Sequence, residues 1–475
     1  MATDVTLTSG RVRGSSSAGI DSWLGIPYAA APVGELRFAL PVPPTPWEGV
    51  RDATEFGPTA PQPPYSGGVE KLLPTVVVPG DEILNVNVWA PAGASGLPVM
   101  VWVHGGSLAH GSNALDLYDG TAFARDGVVF VALNYRVGSE GFSVLDGAPL
   151  NIGLADGVEA LRWVQREITA FGGDPARVTV FGQSAGAILL GALLANPPGL
   201  FAQAILMSGP PNAAPRVKAG RITRLMAKAL GVAPTRAAFE KLSPEELVAA
   251  QVRVTAGSTP ITGGAGYSLA IGDDLVPREP LTAILAGGGA GIPLMLGSTT
   301  DEYRLWFVPT GLMQRISPVL FAAARLKFRI GRRILAAYRA NRPGATRAEL
   351  FGALATDILA RLPYNRIADA RLNGGAPTHF YEFAWPSPVM QLGAAHAMEL
   401  GFVFDRLASP DSVGLAGADA PQQLADEMHA MWVSFAKTGD PGWPAWDATR
   451  PVQVFDAPTS VVVLAPREDE RAAWA

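Results

Sequence analysis

The residues best placed to do chemistry are a serine set among small residues, Gly182-Gln-Ser-Ala-Gly186, five scattered histidines, and a carboxylate pair at Asp301-Glu302. A serine hydroxyl is a weak nucleophile near neutral pH. It needs a base to take its proton, an acid to orient that base, and N–H donors for the oxyanion that forms when a carbonyl is attacked. Ser184 follows the strand-like run Val178 to Phe181 and precedes small residues and leucines up to Leu194. That order predicts a strand, a turn too tight for side chains on either flank, and a helix, with the serine hydroxyl projecting from the sheet edge.

The partners follow from position. His104 and His110 flank a glycine loop, His379 lies inside a strand, and His429 falls in a helical run suited to a core or surface role. His396 sits in a loop before an apolar run and far downstream of Ser184, which suits the chain order serine, acid, histidine. The stretch Gly297-Ser-Thr-Thr-Asp-Glu-Tyr303 follows a short apolar strand and offers the acid. Neighbours in an extended segment point opposite ways, so only one of Asp301 and Glu302 can meet an imidazole, and spacing does not choose between them. Strand Pro98 to Val103 runs into His104-Gly-Gly-Ser107, whose bare glycines let backbone N–H groups reach a substrate oxygen together with that of Ala185.

The elements that must position these groups are legible in the hydrophobic pattern. Val5 to Thr8, Gly10 to Gly14 and Trp23 to Tyr28 read as short strands of an extended arm that reaches to Gln62, and residues 60 to 82 as a Pro-rich surface loop. Strands are predicted at Ile83 to Trp89, Pro98 to Val103, Val128 to Arg136, Ala202 to Met207, Ile292 to Leu296 and His379 to Trp385, with a closing pair at Val452 to Phe455 and Val461 to Leu464. Helical spacing marks Ile152 to Phe171, residues 312 to 372 read as helical and rich in arginine, and Gln422 to Thr438 as a helix. Buried strands alternating with helices predict an α/β architecture, a mainly parallel sheet covered on both faces. We expect one domain over 1–475, with lid-like insertions around 210–290 and 305–375.

Composition narrows the function. Of 475 residues, 37 are basic and 42 acidic, a net charge of −5, so neither nucleic acid nor an anionic membrane surface is expected as partner. There is no cysteine, which excludes disulfides, thiolate metal sites and a Cys nucleophile. No His/Asp/Glu cluster has metal spacing, and no metal or other cofactor is expected. The start Met-Ala-Thr-Asp-Val has neither the basic nor the apolar region of a secretory signal, and no apolar run reaches membrane-spanning length, so the expected location is the cytoplasm. The basic run Arg325 to Leu335 reads as the solvated face of an outer helix.

Ordered words along the chain then carry a resemblance. They are Gly25-Ile-Pro-Tyr-Ala29, Pro32-Val-Gly-Glu-Leu-Arg-Phe38, Leu84-Asn-Val-Asn-Val-Trp-Ala-Pro91, Val101-Trp-Val-His-Gly-Gly106, Asn134-Tyr-Arg136, Asn151-Ile-Gly-Leu-Ala-Asp156, Phe171-Gly-Gly-Asp-Pro175, Val178 to Gly186, Met207-Ser-Gly209, Asp301-Glu302, Leu400-Gly-Phe-Val-Phe404 and Gly439-Asp-Pro-Gly-Trp-Pro444. Together the chain resembles the type-B carboxylesterases, the bacterial branch that includes p-nitrobenzyl-esterase-like enzymes, of the α/β-hydrolase superfamily. The resemblance implies Ser184 as nucleophile, Glu302 as acid and His396 as base. It implies Gly105, Gly106 and Ala185 as oxyanion donors, and Ser208 as a buried supporting serine.

Four departures matter. Ala60 and Ile83 stand where the family carries a disulfide, which leaves the loop between them unstapled and free to move. That loop holds no tryptophan for a cationic substrate, and Gln183 stands where cholinesterases have glutamate. Tyr303 follows Glu302 where many members have glycine.

The expectation is hydrolysis of neutral carboxylic esters, short to medium acyl or aryl, through an acyl-enzyme. Leu108, Phe142, Trp306 and Phe307 are expected to line an apolar substrate pocket, and the chain to act as a monomer or weak homo-oligomer. The alternatives are an amidase or aryl-carbamate hydrolase with the same triad, and, in a different class, a non-catalytic binding module that would have lost triad residues.

Overall fold

The computed structural model describes residues 2–256 and 264–474. Part of the segment 210–290, residues 257–263, therefore lies outside the described residues, as do Met1 and Ala475. Among the described residues the core is a sheet of 13 strands. Its first edge is built by the N-terminal arm: β1 (Ala2–Leu7), β2 (Gly10–Ser17) and β3 (Ile20–Pro27) pair antiparallel in turn, and β4 (Val50–Asp52) lies beside β2. The arm is thus an integral part of the sheet, with Leu7, Val12, Trp23 and Ile26 in its core.

The sheet continues through β5 (Asn85–Pro91), β6 (Leu97–Val103), β7 (Val129–Leu133), β8 (Gly173–Gln183) and β9 (Gln203–Met207). It then passes to β10 (Leu294–Thr299), β11 (Thr378–Phe383), β12 (Pro451–Phe455) and β13 (Val461–Leu464). In space, β7, β6, β8, β9, β10, β11 and β12 run parallel side by side, and β13 closes the far edge antiparallel. Apolar runs such as Val129–Leu133 are buried throughout, as expected for parallel strands covered on both faces.

Helices α1 (Ile152–Glu167), α2 (Ala185–Ala195) and α3 (Gln422–Thr438) pack on this sheet. Helix α2 is apolar nearly all round and is buried to match. The segments after β9 and β10 each contribute to a smaller core, the first shared with Phe38, Leu145 and Ile152. Ile222, Met226, Phe239 and Leu247 build one, and Tyr303, Phe307, Ile334 and Tyr338 the other. In the basic run, Lys327, Arg329, Arg332 and Arg333 are exposed while Ile330, Ile334 and Leu335 face inward. No helix among the described residues is long and apolar enough to cross a membrane.

The loop between Ala60 and Ile83, expected to be loose without a disulfide, is tied by hydrogen bonds instead. Thr59 N–H donates to Val78 O at 3.0 Å, and Val78 N–H to the Thr59 hydroxyl at 3.0 Å. Tyr65 N–H reaches the Thr75 hydroxyl at 3.3 Å, and Gln62 bonds across to Gly111.

Behind the glycine loop lies a fully buried ion pair. Arg136 donates to Asp156 from Nε at 2.8 Å, from Nη2 at 2.6 Å and from its backbone N–H at 3.0 Å, joining the end of β7 to α1. Removing one member leaves a buried charge without its counter-ion, which costs far more than the pair's net worth. Asp156→Ala is expected to lower stability by about 3–5 kcal/mol in urea unfolding. A loss under about 1 kcal/mol would show that Arg136 finds another way to satisfy its charge.

Candidate active site

Ser184 sits where β8 turns into α2, with φ +55° and ψ −121°, a backbone conformation that costs roughly 1–3 kcal/mol for a residue with a side chain. The turn holds because its neighbours come closer than side chains permit. A Cβ on Gly186 would lie 2.0 Å from Val103 O, and one on Gly209 would lie 2.0 Å from Ser184 O. Ser184 N–H donates to Met207 O at 2.8 Å, and Ser184 O accepts from Ile188 N–H at 3.0 Å, so strand β9 and the first turn of α2 both hold the serine.

The glycine loop faces this turn. A Cβ on Gly105 would lie 3.1 Å from the Cβ of Ser184 and about as close to Gln183. Gly106, Ser107 and Leu108 follow with φ of +118°, +57° and +59°. Left-handed backbone at residues with a Cβ costs about 1–2 kcal/mol each, so this loop needs external support. His104 gives some of it: its Nδ1–H donates to Gly105 O at 2.8 Å, and its ring stacks on Tyr135 at 4.4 Å. The Tyr135 hydroxyl donates to His104 O at 2.9 Å. Burial pushes the His104 ring down to about 4, which keeps it neutral and structural.

Glu302 and His396 meet. His396 Nδ1–H bonds Glu302 Oε2, while Glu302 Oε1 accepts Thr299 N–H at 2.8 Å, and both side chains are buried. With its proton on Nδ1, the imidazole presents a lone pair on Nε2, and the Gln183 amide lies 3.1 Å from it, one residue from Ser184. Asp301 turns the other way, toward Arg304 at 3.7 Å, and its carboxyl is half-exposed. The chain therefore offers the imidazole only the second of the two adjacent carboxylates.

The residues expected to line a pocket are spread out. Trp306 is half-buried with its ring 4.8 Å from that of His396. Leu108 is buried on the glycine loop, and its carbonyl accepts from Gly138 N–H at 2.7 Å. Phe142 is buried against Tyr135, and Phe307 packs on Tyr303 and Phe351 in the outer helical core. His379 and His429 are buried and bonded to backbone, His379 Nδ1–H to Trp443 O and His429 Nδ1–H to Val403 O. Among the described residues no group of three or more His, Asp or Glu could hold a metal ion.

Sequence reasoning passed over Glu399. It has no solvent exposure, and its Oε1 accepts a long 3.4 Å bond from the Ser208 hydroxyl, while Oε2 has no partner among the described residues. Burial, with the nearby Glu302 charge, pushes its carboxyl up to about 8. A neutral acid therefore backs the site at pH 7. A carboxylate three residues after His396 and inside an otherwise apolar run was the available signal.

Residues 1–459 match the model of the carboxylesterase family. The para-nitrobenzyl esterase of Bacillus subtilis is 35% identical, with 96% of this chain and 95% of that protein aligned. The phenmedipham hydrolase of Pseudarthrobacter oxydans is 34% identical over 94% of this chain and 93% of its own. A carboxylesterase structure from Geobacillus stearothermophilus superposes with a TM-score of 0.88 at 35% identity, covering all of both chains.

The buried acid at 399 has a consequence for stability. Its carboxyl is protonated in the fold up to about pH 8 but loses its proton near 4.5 when unfolded, so the stability it confers falls as pH rises through that window. Glu399→Gln cannot ionise. Its unfolding free energy is expected to decline less than wild type between pH 5 and 8, and parallel declines measured by urea titration would rule this out.

Proposed function

The chain belongs to the carboxylesterase family and is a carboxylic-ester hydrolase, and from that premise we propose that Ser184, His396 and Glu302 form its catalytic triad. The bond from His396 to Glu302, with Nε2 turned toward the residue beside Ser184, carries the reading. His396 Nε2 takes the Ser184 proton as the hydroxyl oxygen attacks the ester carbonyl. Glu302 holds the imidazole in its Nδ1–H form and stabilises the imidazolium. The N–H groups of Gly105, Gly106 and Ala185 receive the developing oxyanion. The alcohol leaves with the proton from His396, and water then releases the acyl group by the same route. Because Nε2 has a single lone pair, the Gln183 N–H must give it up when the serine is activated.

The substrates are uncharged esters of short to medium acyl or aryl type. Support comes from the neutral Gln183 beside the base and from the apolar Trp306 ring against His396; Leu108, Phe142 and Phe307 are proposed as further pocket residues. A second reading, aryl-carbamate hydrolysis, is favoured by the relative named phenmedipham hydrolase, since phenmedipham is an aryl carbamate. We further propose one domain with the segments 210–290 and 305–375 as a lid, acting in the cytoplasm as a monomer or weak homo-oligomer and without cofactor.

Ser184→Ala is expected to lower kcat about 10³-fold or more with the fold intact; near-normal turnover of p-nitrophenyl butyrate would unseat the nucleophile. Glu302→Gln should lose far more activity than Asp301→Asn, and equal losses would leave the acid unassigned. On kcat/KM, p-nitrophenyl butyrate should exceed both an anilide and an aryl carbamate. A reversed order would move the preferred substrate class.

A further inference from the structure

We infer that Gln62 is a positioning residue for the oxyanion donors, acting through Gly111 at the far end of the glycine loop; this rests on the reading that Gly105 and Gly106 supply those donors. The Gly106 N–H shares one planar peptide with the Gly105 carbonyl, so whatever fixes that carbonyl aims that N–H. Two groups touch it. One is the His104 ring, bonded to Gly105 O at 2.8 Å. The other is Gly111, with φ +102°, on which a Cβ would lie 2.4 Å from Gly105 O and 2.4 Å from His104 Nδ1. Gly111 thus closes the loop against its own first peptide.

Gln62 holds Gly111 from both sides. Gly111 N–H donates to Gln62 Oε1 at 2.7 Å, and Gln62 Nε2 donates to Gly111 O at 3.0 Å and to Ala60 O at 3.2 Å. The side chain is buried, so these bonds do not compete with bulk water. The next residues reinforce the grip: His110 Nδ1–H donates to Pro63 O at 2.9 Å, and the Tyr65 ring stacks on His110 at 4.4 Å. Inside the loop, Ala109 and His110 N–H groups both reach Gly106 O at 2.9 Å. Three successive left-handed residues, Gly106 to Leu108, persist only while such contacts over-determine them. Gln62 therefore ties the segment 60–83 to the reaction centre without touching substrate.

A misaimed oxyanion donor weakens the transition state and spares the ground state. Gln62→Leu removes the bonds at similar size. We expect kcat for p-nitrophenyl butyrate to fall about 10- to 100-fold, since loss of one whole donor costs roughly 10²–10³-fold, with KM within about twofold. Affinity for a trifluoromethyl ketone, whose serine adduct carries the oxyanion, should fall by the same factor. Gln62→Glu keeps the acceptor for Gly111 N–H but loses the donor to Gly111 O. It should show the same kcat-only loss and stands in if the leucine variant does not fold. Wild-type kcat in the folded variants, a KM rise with kcat unchanged, or ketone affinity that does not follow kcat would each overturn the inference. Ser184→Ala separates the two readings. If it binds the ketone as tightly as wild type, the triad assignment itself fails, whatever the Gln62 variants do.

Discussion

Everything in this molecule turns on how closely β6, β8 and β9 approach the bend at Ser184. The bend is a left-handed conformation that a serine adopts only under constraint, and the constraint is steric. Val103 O lies so near position 186, and Ser184 O so near position 209, that only glycine fits at either site. A parallel sheet with both faces covered by apolar helices supplies the rigidity that makes such contacts hold. The rest of the site is assembled around that fixed point. The glycine loop leaves the end of β6, Glu302 follows β10, and His396 comes from the chain after β11.

Burial does different work on the two acids near the imidazole. Glu302 accepts from His396 and from the Thr299 N–H, so its buried charge has partners. Glu399 has only a long bond from Ser208 and is held neutral. A second buried carboxylate charge beside the first would repel it and would lack compensating donors. Glu302 thus stays oriented on the His396 ring while burial and the neighbouring carboxylate hold Glu399 neutral behind it.

The same accounting explains the loop before β5. Without a covalent staple, its order rests on side-chain bonds to backbone: Thr59 to Val78, Tyr65 to Thr75, and Gln62 to Gly111. Each is modest against solvent, but the two that pair residues 59–65 with 75–78 act together because ordering the first lowers the entropy cost of the next, and the third ties the loop to Gly111. The expectation of a free loop considered only the missing disulfide. Polar side chains buried at its root compensate for it.

The residues alone determined what depends on local geometry. Gly182 to Gly186 between a strand-like and a helix-like run specified the elbow, the glycines after β6 specified the loop, and helix Gln422–Thr438 could be read from its apolar spacing. These features follow from steric freedom and period, which are properties of neighbours in the chain. Tertiary structure alone decided which of Asp301 and Glu302 turns toward His396, that Glu399 is cut off from solvent, and that Gln62 reaches Gly111. Those outcomes join residues up to about a hundred positions apart in the chain and depend on desolvation. Neither through-space approach nor loss of water is encoded in any short window of sequence.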